Sequence, residues 1–165
     1  EFGCGTGSVS MKLYTDLDSI KMVDTSQGML DVVKQKIDYY QINNMSLYQG
    51  EIAELNLDAD SLDLIYSLMT LHHVQDLDNL FEHFYKLLKA GGRFCIGDLE
   101  TEDGSFHGGE HTDIHFGFDT ENLKKYIEKK GFLVKEINRM NVITKEDEQG
   151  NEKEFPQFFL MAEKV

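Results

Sequence analysis

The chain has 165 residues, 30 acidic and 16 basic, giving a net charge of −14, with 41% hydrophobic and 11% aromatic residues. That is enough apolar material for one globular domain (residues 1–165) with a single core, and no apolar run approaches the length that spans a bilayer. The acidity disfavours nucleic acids and anionic membranes as partners, because both are gripped by Lys and Arg on phosphate.

The first residues, Glu1-Phe2-Gly3-Cys4-Gly5-Thr6-Gly7, set an acid before three glycines at alternate positions. Glycines so close together belong to a sharp turn in which φ is positive or a ligand lies against bare backbone. Helical spacing follows over residues 7–14 and 26–40, the second with Ser26 as N-cap. Two further helices are predicted over 77–89, with Leu80, Phe81, Phe84, Leu87 and Leu88 as apolar stripe, and over 120–130, stopped by Gly131. Short apolar runs at 19–23, 46–48, 62–67 and 92–96 have the character of buried strands, and 132–144 with 155–164 form a hairpin around a polar turn. Strands alternating with helices give an α/β fold whose mostly parallel sheet is covered on both faces. Cys4 and Cys95 make no disulfide framework and fit a reducing, cytoplasmic compartment.

In such a sheet the ligand sits beyond the carboxyl ends of the strands. Asp24 follows the second strand position, seventeen residues after Gly7. Its carboxylate can accept from both hydroxyls of a ribose, or cap the next helix. Met29, one turn on, suits either the ribose and adenine or the core. After the next run comes Gly50-Glu51-Ile52-Ala53-Glu54-Leu55, then Asp63-Leu64-Ile65-Tyr66-Ser67-Leu68-Met69-Thr70-Leu71-His72-His73-Val74, then Leu87-Leu88-Lys89-Ala90-Gly91-Gly92-Arg93-Phe94.

Taken in order, these segments resemble class I S-adenosylmethionine-dependent methyltransferases, in particular the small-molecule type 11/12 group. The acid-and-glycine opening corresponds to the family's first motif, and the Leu-Lys-Ala-Gly-Gly-Arg stretch to its Leu-Lys-Pro-Gly-Gly-Arg lead into the fifth strand. The resemblance implies a doubly wound, seven-stranded-type Rossmann-like sheet of order 3-2-1-4-5-7-6 with a C-terminal antiparallel hairpin. Strand one is then largely missing from this chain, which is expected to be an N-terminally truncated piece of a longer protein. An unfilled central position leaves two strand edges, so an oligomer that pairs them is a further expectation.

The resemblance also implies the cofactor, S-adenosylmethionine with S-adenosylhomocysteine as product, and a small-molecule acceptor. On it, Gly3, Gly5 and Gly7 admit the cofactor's amino-acid end, Glu1 meets its amino group, Asp24 holds the ribose, Glu51 meets the adenine, and Thr25, Met29, Ile52 and Ser67 belong to the same cofactor site. The chain lacks the Asn/Asp-Pro-Pro-aromatic motif of base and amide-nitrogen methylating relatives, and the Asp-Asn pair of the metal-dependent catechol type. A non-catalytic cofactor-binding or protein-interaction module stays open as the alternative. An NAD-type oxidoreductase is disfavoured by the glycine spacing.

Methyl transfer from a sulfonium needs mainly alignment, and a base only where the acceptor carries a proton to lose. His73 and His72, after the fourth strand position, are the catalytic candidates, with His115 as a third. Asp98, His111 and Phe116 are assigned to the substrate side. His107, His111 and His115 are spaced by four, as three metal ligands on one helical face would be. Gly104, Gly108, Gly109 and Gly117 argue against a regular helix there, and no metal is expected.

Overall fold

The computed structural model describes residues 1–108, 113–146 and 150–165. Its elements run β1 (Ile20–Asp24), α2 (Gln27–Tyr40), β2 (Met45–Gln49), β3 (Leu62–Leu68), α3 (Leu77–Leu87), β4 (Leu88–Leu99), α4 (Thr120–Lys129), β5 (Phe132–Glu146) and β6 (Glu152–Lys164), preceded by one short helical turn, α1 (Ser10–Leu13). Each of the three longer helices begins where a side chain meets an orphan N–H: Ser26 accepts from Met29, Asp76 from Asn79 and Asp119 from Asn122. Gly131, at φ +91°, turns the chain out of α4 into β5.

Helix α1 is shorter than the predicted 7–14. Gly5 and Gly7 both take positive φ, so the backbone becomes helical only at Ser10. Strand β4 is longer than the predicted 92–96, and its register against β3 shifts between Leu62 and Leu64 because the Lys89–Gly92 stretch bulges there.

Strands β1 and β2 pair in parallel, with Ile20 opposite Met45 and Asp24 opposite Gln49. Strands β3 and β4 also pair in parallel, and β6 lies antiparallel between β4 and β5. The two ladders meet at the first residues of the chain. Phe2 N–H donates to Tyr66 O at 2.9 Å, Val23 N–H to Glu1 O at 2.9 Å, and Cys4 N–H to Val23 O at 3.0 Å. Glu1 and Phe2 thus lie between β1 and β3, bonded to both.

Alternation along the strands sorts the core into two faces. Ile65, Phe94 and Ile96 point to α3 and α4, where Phe81, Phe84 and Ile127 are fully buried around them. Tyr66 and Cys95, their neighbours in sequence, point the other way, onto Met22, Leu30 and Val33 beneath α1 and α2. The result is a three-layer α/β domain with a mixed sheet. Among the described residues, no helix is long and apolar enough to cross a membrane.

Candidate active site

At the carboxyl ends of β1, β2 and β3 a cavity of about 920 Å³ opens, within the range of small-molecule sites. Its floor is the glycine turn. Gly3, Gly5 and Gly7 have φ of +64°, +50° and +75°, a region in which a side chain is strained. The three differ in what surrounds them. A Cβ on Gly3 would sit inside the Thr70 side chain, and one on Gly7 would press on Met22 and Val33. A Cβ on Gly5 would meet nothing within 4 Å. Gly5 therefore presents bare backbone to the cavity, whereas Gly7 packs against the core behind it.

Asp24 ends β1 at the cavity wall. Its Oδ2 accepts from the Gly5 N–H at 2.7 Å and its Oδ1 from the Ser26 N–H at 2.9 Å. Two backbone donors thus fix the carboxylate, and each oxygen keeps capacity for a further donor from the cavity. Thr25, Met29, Glu51 and Ile52 also line it. Glu51 is exposed, Ile52 is buried, and the Met29 side chain is 43% exposed although it begins a helix turn.

Glu1 lines the cavity from the other side. Its carboxylate accepts from the Ser10 hydroxyl and, at 3.3 Å, from the Ser10 N–H at the start of α1. Ser10 in turn lies 2.6 Å from the Tyr66 hydroxyl. Burial raises the Glu1 carboxyl above its ordinary range. The same burial, reinforced by the Asp24 and Glu1 carboxylates, lifts the Cys4 thiol to about 12, and burial lifts the Tyr66 phenol to about 12.

Two expected residues stand behind the cavity rather than in it. Ser67 is buried, and its hydroxyl donates to Phe2 O at 2.8 Å, so it fastens the chain start to β3. Asp98, expected on the substrate side, is wholly buried. Its carboxylate accepts from the backbone N–H groups of Leu99 at 2.7 Å and His72 at 3.3 Å, and its Oδ1 lies 2.6 Å from His72 Nδ1. With a carboxylate as partner, His72 Nδ1 is the ring nitrogen that donates to Asp98.

The two adjacent histidines of the 3-10 turn Leu71–His73 divide as their positions dictate. His72 is 1% exposed and bound to Asp98, while His73 lines the cavity. His115 anchors a neighbouring loop: its Nε2 lies 2.9 Å from Val74 O and its N–H donates to His72 O at 2.8 Å. Phe116, 42% exposed, covers Gly104. His111 lies outside the described residues.

The described parts of the segment between β4 and α4, which carry His107 and His115, form no helix. His107 instead folds back onto the pair after β3, its Nε2 at 3.0 Å from His72 Nε2. Residues not anticipated at the cavity include Met69, Thr70, Val74, Gln75 and Asn79. Thr70 donates to Gly3 O at 3.2 Å, and Met69 has φ +56°. A bulky residue at positive φ leaves no mark in a sequence, so this kink at the end of β3 was not foreseeable.

A family model described as a methyltransferase domain matches residues 1–96, which contain the glycine turn, Asp24, Glu51 and the 3-10 turn. The chain belongs to the class I S-adenosylmethionine-dependent methyltransferase family. An uncharacterized methyltransferase of Schizosaccharomyces pombe is 32% identical over 120 residues, covering 68% of this chain and 42% of that protein. A demethylmenaquinone methyltransferase of Oceanobacillus iheyensis is 33% identical over 97 residues, 56% of this chain and 41% of that protein. The chain thus spans less than half the length of these curated relatives. Phosphoethanolamine N-methyltransferase 2 of Haemonchus contortus, solved in complex with S-adenosyl-L-methionine, superposes with a TM-score of 0.77 at 17% identity, over 99% of this chain and 47% of that one. At that identity the methyltransferase neighbour speaks for the shared Rossmann-like fold.

Proposed function

We propose that the protein transfers a methyl group from S-adenosylmethionine to a small-molecule acceptor. The observation that carries this is the pairing of Gly5 and Asp24: open backbone at positive φ, joined by a 2.7 Å hydrogen bond to a carboxylate that faces the same cavity. The bare Gly5 surface suits the cofactor's amino-acid end, Asp24 the paired ribose hydroxyls, and Glu51 with Ile52 the adenine. Glu1, held by Ser10, is placed for the cofactor's ammonium group. The cofactor supplies an activated methyl group on a sulfonium; alignment and exclusion of water are what the chain must add.

The acceptor side is the His73 end of the cavity. His73 is the imidazole placed to touch the acceptor, with His72 and His115 as positioning residues behind it. Ser67, Asp98 and Gly7 support the backbone that carries the site. The relative named a demethylmenaquinone methyltransferase favours a small acceptor, and the net charge of −14 disfavours nucleic acid. The strand order inferred is 2-1-3-4-6-5 in the numbering of this structure, with Glu1 and Phe2 at the position of a further central strand between β1 and β3. A cytoplasmic location completes the reading.

The test is to incubate the full-length protein with S-adenosylmethionine and a panel of small hydroxyl, amine and thiol acceptors, following S-adenosylhomocysteine. Acceptor-dependent product supports methyl transfer. Cofactor binding with no product from any acceptor class supports the non-catalytic module instead.

A further inference from the structure

The three imidazoles of His72, His73 and His107 converge beside the cavity, which His73 lines. One ring nitrogen from each lies within 4.8 Å of the other two. Ring centroids are 4.1 Å apart for His72 and His73, and 5.0 Å for His107 with either. We propose that this trio binds one divalent transition-metal cation of the zinc class.

Three features argue for it. First, the spacing is close to what a cation requires. Nitrogens about 2.0–2.1 Å from a tetrahedral zinc stand about 3.3 Å from one another, and the His72 and His107 Nε2 atoms are already 3.0 Å apart. Small side-chain rotations bring the third nitrogen in, and both His73 and His107 are exposed enough to make them.

Second, one ligand is oriented in advance. A metal-binding histidine commonly gives its other ring N–H to a carboxylate, which fixes the tautomer and strengthens the donor nitrogen. Asp98 does this for His72 at 2.6 Å, and both are buried, at 0% and 1% exposure. Asp98 is itself fixed by the Leu99 N–H at 2.7 Å. Third, the donor set is chemically selective. Three neutral imidazoles suit zinc, copper, nickel or iron and poorly suit magnesium or calcium, which prefer oxygen.

Three protein ligands leave a tetrahedral cation one position for water or for an acceptor atom. Because His73 lines the cavity, that position belongs at the acceptor end. The cation would take up the lone pairs with which the imidazoles could accept a proton, so His73 would touch the acceptor through the metal. Binding of the cation stands on the imidazole geometry alone; only its use at the acceptor rests on the methyl-transfer reading.

The experiment is a titration of chelator-treated full-length protein with zinc by calorimetry, and with cobalt by visible absorption. The wild type should bind one cation per chain. His107→Ala and His73→Ala should each weaken binding at least tenfold, and Asp98→Asn about ten- to a hundredfold, while His83→Ala, on the outer face of α3, changes nothing. Circular dichroism confirms that the exposed-site variants fold. Absence of stoichiometric uptake by the wild type overturns the proposal, as does uptake of unchanged affinity in the His73→Ala/His107→Ala double variant. S-Adenosylmethionine titrated in parallel separates the two readings: cation binding without cofactor binding removes the methyl-transfer reading and leaves the metal site standing.

Discussion

Asp24 Oδ2 accepts a 2.7 Å hydrogen bond from the Gly5 N–H, joining the end of β1 to the glycine turn that lies against it. The carboxylate is thereby aimed into the cavity by backbone rather than by a side chain free to rotate. A ligand bound there meets a charge whose position is set beforehand, so little ordering cost remains at binding.

The glycines should respond unequally to alanine. Gly3→Ala places a methyl group inside the Thr70 side chain and breaks the Thr70–Gly3 hydrogen bond, so the melting temperature falls sharply. Gly5→Ala meets no atom and carries only the left-handed backbone penalty, about 1–2 kcal/mol. Its methyl group projects into the cavity, so cofactor affinity should suffer more than stability. Thermal melts and cofactor titrations on the two variants check this; equal melting temperatures would contradict it.

The Asp98 carboxylate accepts from two backbone N–H groups and the His72 ring in a fully buried setting. Asp98→Ala leaves those donors without a partner, a loss of about 1–3 kcal/mol for a buried unsatisfied group. Chemical denaturation should show a lower midpoint with an unchanged slope.

The thiols should be inert in the folded protein. Burial holds Cys4 near 12 and raises Cys95 as well, so at pH 8 only roughly one Cys4 in ten thousand is the reactive thiolate. Mass spectrometry after alkylation should find neither modified until denaturant is added. The same shift fixes an alkaline limit. The fold accommodates the protonated Cys4 and Tyr66, whose ordinary values are 9.0 and 10.0 and whose folded values are about 12. In the unfolded chain they lose their protons first, so their contribution is whole below pH 9 and is lost as pH rises to about 12. Stability measured from pH 8 to 11 should fall; a flat profile would contradict the burial of these groups.

Much of the fold was legible because its signals are local. Apolar periodicity placed α2, α3, α4 and the hairpin, and Ser26 and Gly131 marked ends that the structure confirms. The start of α1 was misplaced because successive positive-φ glycines delay helical geometry, which apolar spacing does not register. At the site, residues beside the ends of strands were readable from their order in the chain: Asp24, Glu51, Gly3 and Gly5 all reach one cavity. The histidines were not. Spacing by four groups His107 with His115, but His107 meets His72 and His115 meets Val74, contacts made across 35 and 41 residues. Asp98 stands near the end of a strand, which in sequence assigns it to the substrate side; which way its side chain points depends on the pleat of β4 and on the His72 ring bonded to it.

The central claim is that the cavity binds S-adenosylmethionine through Asp24. Calorimetric titration of the full-length protein and of Asp24→Ala with S-adenosylmethionine and S-adenosylhomocysteine tests it most directly. Wild-type binding should be weakened in the variant by about 10- to 150-fold, the equivalent of about 1.5–3 kcal/mol for hydrogen bonds to a charged group, with circular dichroism unchanged. Absence of binding by the wild type, or equal binding by a folded Asp24→Ala variant, would contradict the account.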